Sequence, residues 1–586
     1  MQRHFSNERI EKLRKVILIL VPLVYVVVLS FSLSDEWFPA DDAQELAFVQ
    51  GMNSFWRLFG ADTFGLFRPV KNVLFWSFVH MTPVVGIRGC RMVGIAIGVF
   101  AFFPVLSLCR KVFANEWKAL TSAAIWLLSP TLVSSVVWLS CVNIQIMVAL
   151  LTLAIVFHDD AFLANRCRPS RILVSGVLLF LALVSYECAI VGLPILFLFD
   201  VLLRPERIQR RSVWLAYLFY FLTTSVYLVL RGCNHSTTQV NGSFESILRW
   251  QLVVSSPFFT AQHFASWFWP FGRMTVCGSY KWGQVPWTGL ILLAMIFASI
   301  LLFAILERKR FPILSFCVLL ALLAFAPVSN CLGLKNGPYG DYYLSLASIG
   351  LAAGAVECCS VLLRVGGSAR RLAITMVIVF AALRLASIPE TARWAWLWGR
   401  GMEAHVESVK NFPGFFSNKL MLAQLFLDCG EYDKALSLCS EVERQVNPGT
   451  RWMARIYLIR ALNALLADQD ADRALDFLAN SEIMEENDRE DVRNRHYYRG
   501  CVFDDLKGDE VTAEKEYELA LSGKWDIDSV PCADRLARIK AMHGDLAGAI
   551  TIWEKAAMID PKNESVLWNL ALARKKAREG GHDQTQ

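Results

Sequence analysis

The sequence predicts an all-α chain in two parts: a polytopic bundle of transmembrane helices, then an α-solenoid of helical hairpins. Three observations carry this. Long apolar runs recur through residues 1–390, acidic residues are scarce there, and past residue 416 helical hairpins recur with a period of about 34 residues. The hydrophobic fraction of 55% and mean hydropathy of +0.41 exceed what soluble globular chains carry. The net charge of +6 divides unevenly. Residues 391–586 hold 26 Lys+Arg against 33 Asp+Glu, leaving 32 against 19 for residues 1–390. A carboxylate in hydrocarbon is costly unless paired or solvated, so this imbalance reflects topology and not nucleic-acid binding.

The first apolar run, Val16 to Leu33, is followed by acidic residues and not by a small-residue cleavage site, so it reads as a retained span. Further spans are expected at 89–108, 118–132, 135–157, 172–186, 188–203, 212–230, 287–306, 312–328, 343–363 and 372–388, eleven in all. Five short basic connections fall on one side if the N-terminus is cytoplasmic: 110–111, 166–171, 204–211, 307–310 and 364–371. The odd span count then puts the C-terminal part outside the cytoplasm. The Trp-rich run 247–270 reads as re-entrant or interfacial. The expected organisation is a membrane body over 1–390 with its first outer loop at 34–88, a linker over 391–415, and a repeat domain over 416–586. Within the first loop, Leu46, Val49, Met52, Phe55, Trp56 and Phe59 recur at helical spacing, which predicts an amphipathic interfacial helix over 43–59.

The repeat pattern is clearest at Leu425 to Ala435 and from Leu536 through Pro561, with Gly at the helix–helix turn and Ala where helices touch. Looser repeats use Ala461, Ala474, Gly500, Gly508, Ala513 and Ala520, and a capping helix is expected over 564–578. Four stacked repeats and a cap bury a shared core, and such arrays bind proteins or peptides or pack on their own body. The 15 cysteines show no zinc-like spacing. Cys233, Cys277 and Cys331 fall in expected outer loops, where disulfides can form but the pairing is unreadable. Asn234, Asn241 and Asn563 head glycosylation sequons.

Several residues could carry chemistry. Asp41 and Asp42, at the mouth of the first span, can take a proton from an attacking hydroxyl or hold a divalent cation such as Mg²⁺ or Mn²⁺. Asp35 and Glu36 compete for either role. The same residues also fit a solvated acidic turn in which Asp42 caps the next helix. Arg68 and Lys71 suit the phosphate of a lipid donor, and suit snorkelling anchors equally. Glu187, in Ser185-Tyr186-Glu187, adds a carboxylate on the same face. Arg273 and Lys281 lie in a Trp-rich outer loop, and Lys335, Asp341 and Tyr342 lie between Pro327 and Gly350. No Walker A, zinc or nucleophile-elbow motif is present.

These pieces resemble the GT-C superfamily of polyprenyl-phosphate-sugar-dependent glycosyltransferases, and most of all members that join a protein O-mannosyltransferase-like body to tetratricopeptide repeats. The resemblance rests on Pro39-Ala40-Asp41-Asp42-Ala43, Phe67-Arg68-Pro69-Val70, Ser185-Tyr186-Glu187 with Leu193-Pro194 and Asp200, Pro327-Val328-Ser329-Asn330, and Tyr343-Leu344 through Ser348-Ile349-Gly350. It implies inverting transfer of a mannose-like sugar from a polyprenyl-phosphate donor to a protein or glycan hydroxyl on the outer face. The base would be Asp41 or Asp42. Two departures stand out. Ser129-Pro130-Thr131-Leu132 replaces the family's His-Pro-x-His, and Asp341-Tyr342 lacks the family's Arg, leaving donor phosphate to Arg68, Lys71, Arg273 or Lys335. The competing expectation is an inactive membrane-anchored scaffold whose repeats bind an envelope or luminal protein. The expected location is a bacterial inner membrane with the repeats in the periplasm, or alternatively the ER with the repeats in the lumen.

Overall fold

The computed structural model describes residues 2–37, 41–50, 52, 54–63, 65–163, 166–234, 250–272, 275–276, 287–329, 340–365, 367–446, 451–482, 489–523, 525, 529–560 and 563–582. Among these, all regular structure is helical. Among the described residues, seven helices are long and apolar enough to cross a membrane: Glu11–Ser32, Pro69–Val112, Leu139–Ala161, Arg211–Asn234, Trp287–Lys309, Asp341–Val365 and Arg370–Trp398. The bent pair Glu116–Leu127 and Pro130–Val137, at 56°, makes an eighth if it counts as one crossing. Large apolar side chains on the crossing helices face outward, including Ile291, Leu292, Met295 and Leu306, as lipid-facing positions do. The chain is a multi-pass membrane protein.

The helices differ from the expected spans where proline, glycine and loop chemistry intervene. Span 89–108 is the far half of a 44-residue helix, Pro69–Val112. At 1.5 Å per residue that is about 66 Å, roughly twice the hydrocarbon thickness. The helix turns at Gly86, whose φ of +67° suits glycine. Span 118–132 breaks before Pro130. Span 135–157 breaks at Trp138 and restarts at Asn143. Spans 172–186, 188–203 and 312–328 become helices of 15, 12 and 14 residues (Pro169–Leu183, Gly192–Leu203 and Pro312–Phe325), each too short for a full crossing alone. The 247–270 run contains the helix Trp250–Phe268. The single amphipathic helix expected over 43–59 is two pieces, Asp41–Gln50 and the 3₁₀ turn Phe55–Phe59. The sequence places Gly51 and Asn53, poor helix formers, between them. Leu46 and Val49 are buried while Phe55, Trp56 and Phe59 are exposed, so the stripe is not one face.

Two compact units result. The first holds Met1–Asp42, Phe59–Gly278 and Trp282–Asn411; the second holds Ala43–Leu58, Ser279–Lys281 and Phe412–Gln586. In the first, one large core runs from Tyr25 and Leu29 through Trp126, Phe199 and Phe316 to Trp398. At one end of it the C-terminus of the first crossing helix meets the C-terminus of the last. Ser34 Oγ donates to the Gly399 carbonyl at 2.5 Å, and a Cβ on Gly399 would meet the Ser32 carbonyl oxygen at 2.5 Å.

In the second unit four helical hairpins follow one another: Phe416–Asp428 with Tyr432–Glu443, Arg451–Asn463 with Ala471–Glu482, Arg489–Cys501 with Glu510–Ala520, and Val530–Met542 with Leu546–Ile559. The helix Glu564–His582 closes the array. Ala435, Ala474, Ala513 and Ala549 occupy matching positions on the second helices and are fully buried, because only a methyl fits where paired helices touch. A Cβ on Gly500 would meet the Tyr517 ring at 2.3 Å, so that crossing is closer still. Basic residues on first helices pair with acidic residues on the preceding second helix: Arg460 with Glu443 at 2.6 Å, Arg499 with Glu482, Lys540 with Glu514 at 2.6 Å, and Arg574 with Glu554 at 2.7 Å. These ladders join neighbouring repeats.

The array yields two expected outcomes. Three of the four hairpin turns place glycine in the left-handed region (Gly430, Gly508 and Gly544), and the fourth places Gln469 there at φ +52°. Gln469→Gly is expected to stabilise the second hairpin by about 1 kcal/mol, read as slower amide exchange over 451–482. Hydrogen bonds from Arg460 and Arg499 hold the Glu443 and Glu482 carboxyls below their ordinary value of 4.5. A depressed carboxylate contributes its full share above the unfolded value and loses it as pH falls through the folded one. The array should therefore keep its melting temperature above pH 4.5 and lose it progressively below, with Glu443→Gln removing part of that dependence.

Candidate active site

Asp42 lies in the first turn of Asp41–Gln50 and is fully buried. Its Oδ1 accepts hydrogen bonds from the Ser140 backbone N–H at 2.9 Å and the Ser140 hydroxyl at 2.7 Å. Ser140 can reach it because the chain breaks at Trp138 and makes a 3₁₀ turn, Leu139–Cys141, before helix Asn143–Ala161 begins. Beside this pair sits Arg91, also fully buried. Its Nη2 donates to the Glu36 carbonyl at 2.8 Å, and its Nη1 to the carbonyls of Val137 at 3.2 Å and Trp398 at 3.3 Å. Asp42 and Glu36 lie within its electrostatic reach. Three segments far apart in sequence therefore meet on one guanidinium.

An aromatic wall adjoins them. Trp138 stacks on Trp398 with ring centres 5.1 Å apart and meets Tyr342 edge-on at 5.7 Å. Tyr342 in turn lies against Tyr343 at 4.3 Å. Asp341, which precedes them, is buried. The hydroxyl-rich stretch standing where the resemblance expects histidines is buried too: Ser129 and Thr131 hydrogen-bond each other at 3.0 Å, and Ser135 bonds Gln145 and Ser345 at 2.6 and 3.0 Å.

The second group of expected residues gathers nearby. Asn143, three residues past Ser140, donates to the Ser185 carbonyl at 2.8 Å and so ties this group to the first. Arg68 grips Glu187 with two hydrogen bonds, Nε to Oε2 at 2.8 Å and Nη2 to Oε1 at 2.5 Å. Its guanidinium lies 4.6 Å from the Tyr186 ring centre. Asp62, which sequence reasoning passed over, lies 3.8 Å from Arg68 and 3.6 Å from the buried Lys71 amine. Burial pushes the Glu187 carboxyl up, but the charge and hydrogen bonds of Arg68 outweigh it and hold the group at about 2. The same pairing, against the penalty of burial, holds the Arg68 guanidinium well above its ordinary value. Both expected phosphate ligands in this segment are thus turned to internal carboxylates.

The remaining candidates part company. Asp35 makes a surface ion pair with Arg88 at 2.7 Å, both about two-thirds exposed. Glu36 contributes its backbone carbonyl to Arg91. Arg273, Lys281, Lys335, Cys277, Cys331, Asn241, Pro39 and Ala40 lie outside the described residues, as does the side chain of Asp41. The described residues form no cluster of three or more His, Cys, Asp or Glu able to hold a metal ion. Around Asp42 the described donors include a backbone N–H and a hydroxyl, with a guanidinium nearby, and these suit a carboxylate. Ser140, Arg91, Trp138 and Trp398 carry no motif. The one signal in the sequence was a lone arginine inside an apolar run.

No protein-family model and no curated protein matches the chain. Among solved structures, the chain is similar to ArnT from Cupriavidus metallidurans bound to undecaprenyl phosphate, at 13% identity and a TM-score of 0.35, over 70% of this chain and 80% of that one. It is also similar to the Archaeoglobus fulgidus oligosaccharyltransferase tethered with an acceptor peptide, at 14% identity and a TM-score of 0.39, over 72% of this chain and 58% of that one. A third is a thermophilic tetratricopeptide protein from Thermus thermophilus, at 20% identity and a TM-score of 0.24, over 33% of this chain and 94% of that one. Values this low carry no argument about chemistry, which rests on this chain's own residues.

The Arg68–Glu187 pair makes a specific demand. Glu187→Gln should lower stability by about 2 kcal/mol, the low end for breaking a partly buried charge pair, read as a fall in melting temperature of the purified chain. Because the Glu187 carboxyl is depressed to about 2, its contribution is complete above the ordinary value of 4.5 and is lost only as pH falls through about 2. The gap between wild type and variant should therefore stay constant from pH 5 to pH 8.

Proposed function

We propose that the protein is an integral-membrane glycosyltransferase. It would move a mannose-like sugar from a polyprenyl-phosphate donor to a protein or glycan hydroxyl on the face where its first loop emerges. The carrying observation is Asp42: a fully buried carboxylate at the mouth of the first crossing helix, oriented by two donors from Ser140. A carboxylate held in one orientation is what a general base needs. In the reaction the acceptor oxygen attacks the anomeric carbon and its proton passes to Asp42. The bond from that carbon to the phosphate oxygen breaks, the lipid phosphate leaves with the electron pair, and the configuration inverts. Trp138, Tyr342 and Trp398 would offer aromatic faces to the sugar, and the guanidinium of Arg91 would offset charge near Asp42. Asp41 remains the alternative base. Donor phosphate would fall to Arg273 or Lys335, since Arg68 and Lys71 face Glu187 and Asp62.

The last crossing helix ends beside the first loop through Ser34 and Gly399. The chain beyond Gly399 would therefore start in the same compartment, which favours an extracytoplasmic repeat array that recruits the acceptor or a protein partner. A bacterial inner membrane with the array in the periplasm is the proposed setting. One observation favours the rival scaffold reading: the Arg68 fork is closed on Glu187.

Membranes carrying the wild-type chain, Asp42→Asn or Asp41→Asn, given radiolabelled polyprenyl-phosphate mannose, separate the readings. Asp42→Asn is expected to lower transfer at least a hundredfold without changing expression, and Ser140→Ala about tenfold. Absence of transfer by the wild type with several lipid-linked sugars, or undiminished transfer by Asp42→Asn and Asp41→Asn, would favour the scaffold.

A further inference from the structure

A second site lies in the membrane body, away from Asp42. The turn Glu307–Arg310, the first turn of Pro312–Phe325 and the C-terminal turns of Leu344–Val365 line an open cavity of about 370 Å³. Its lining joins two kinds of surface. Arg310 and Arg364 supply charge; Phe311, Ile313, Val361 and Val365 supply apolar wall. Glu357, the one acidic residue in the lining, is already bonded to Lys118 at 2.7 Å. Neither Arg310 nor Arg364 has an acidic partner among the described residues; Arg310 lies over the Phe311 ring at 5.1 Å. Arg308 and Lys309 precede Arg310 on the same turn, and Arg370 and Arg371 follow in the first turn of Gly367–Trp398. Immediately next to the cavity the surface is lipid-like: Leu306 and Val365 are 67% and 71% exposed.

We infer that this cavity binds the phosphate headgroup of an anionic glycerophospholipid from the adjoining leaflet. Exposed apolar side chains fix the rim at the edge of the hydrocarbon, where lipid phosphates lie, and two arginines without acidic partners match one phosphate diester. The positive end of the Pro312–Phe325 helix adds to the same field. Acyl chains would run along Trp287–Leu306, whose apolar residues face outward. A merely topological role for these arginines would need neither a cavity nor an apolar wall beside them. The inference is independent of the transferase reading, because no residue of the Asp42 group lines this cavity.

The full-length chain, extracted into mild detergent and examined by native mass spectrometry with phosphatidylglycerol, phosphatidylcholine or inorganic phosphate added, tests it. The wild type is expected to retain one phosphatidylglycerol at least fivefold over phosphatidylcholine. Arg310→Gln with Arg364→Gln should abolish that preference, and Arg310→Lys with Arg364→Lys should restore part of it. Arg370→Gln with Arg371→Gln, outside the lining, should keep it. All four arginines are exposed or at helix ends, and unchanged melting temperatures would confirm that the variants fold. No lipid preference in the wild type, an unchanged preference in the Arg310→Gln, Arg364→Gln chain, or displacement of the lipid by millimolar inorganic phosphate would each overturn the assignment.

Discussion

The membrane body depends on one buried guanidinium. Arg91 sits in the middle of an apolar helix with no accessible surface, a placement that costs several kilocalories unless its donors are used. Three carbonyls take up its two terminal nitrogens, from the exit of the first crossing helix, the break before Ser140, and the end of the last crossing helix. Each of those carbonyls ends a helix or belongs to a non-helical turn, where the regular helical partner is missing. The arginine and the broken helices thus need one another. Removing either would take these hydrogen bonds from buried polar groups. Asp42 takes its place within this framework, and its orientation is inherited from it.

The helix breaks belong to the same arrangement. An unbroken helix through Trp138 would satisfy its own backbone and carry the Ser140 N–H away from Asp42. The 3₁₀ turn frees that donor and lets Trp138 swing between Trp398 and Tyr342. In the same way, the helices Pro169–Leu183 and Gly192–Leu203 are too short to cross alone, and the segment between them delivers Tyr186 and Glu187 to Arg68. Irregular backbone is tolerated where it is enclosed by protein, as Trp138, Ser140 and Tyr186 are.

Periodicity decided how much of the fold was legible in the sequence. The hairpins, the buried alanines at 435, 474, 513 and 549, and the glycines at 430, 508 and 544 repeat, so each position is read several times over. The apolar runs were legible for the same reason, since twenty lipid-facing residues make a long signal. The site was legible only in part. Asp42, Arg68 and Glu187 could be named because charges are rare in an apolar chain. That Arg68 and Glu187 hold each other across 119 positions could not, because pairing depends on how the helices pack and leaves no local pattern. Ser140 was invisible for another reason: its contribution is half backbone. The expected helix over 43–59 divides into Asp41–Gln50 and Phe55–Phe59, because hydrophobic spacing alone does not outweigh a glycine between them.

The arginines of the body show how the same charge is managed in different ways. Arg68 is offset by a carboxylate, Arg91 by carbonyls with a carboxylate in reach, and Arg384 by the Trp267 carbonyl at 2.8 Å and the faces of Trp267 and Phe380 at 4.3 and 4.8 Å. These three fasten helix to helix, and their partners are supplied from within the chain. Arg310 and Arg364 differ in kind. Exposed at helix ends, they cost little to hold without a partner, and nothing in the packing needs them to point into a common space. Charge spent on structure is neutralised by the structure. Charge that the fold leaves uncompensated beside an apolar wall is available to a ligand that is itself half charged and half apolar, and in a membrane that description fits a phospholipid.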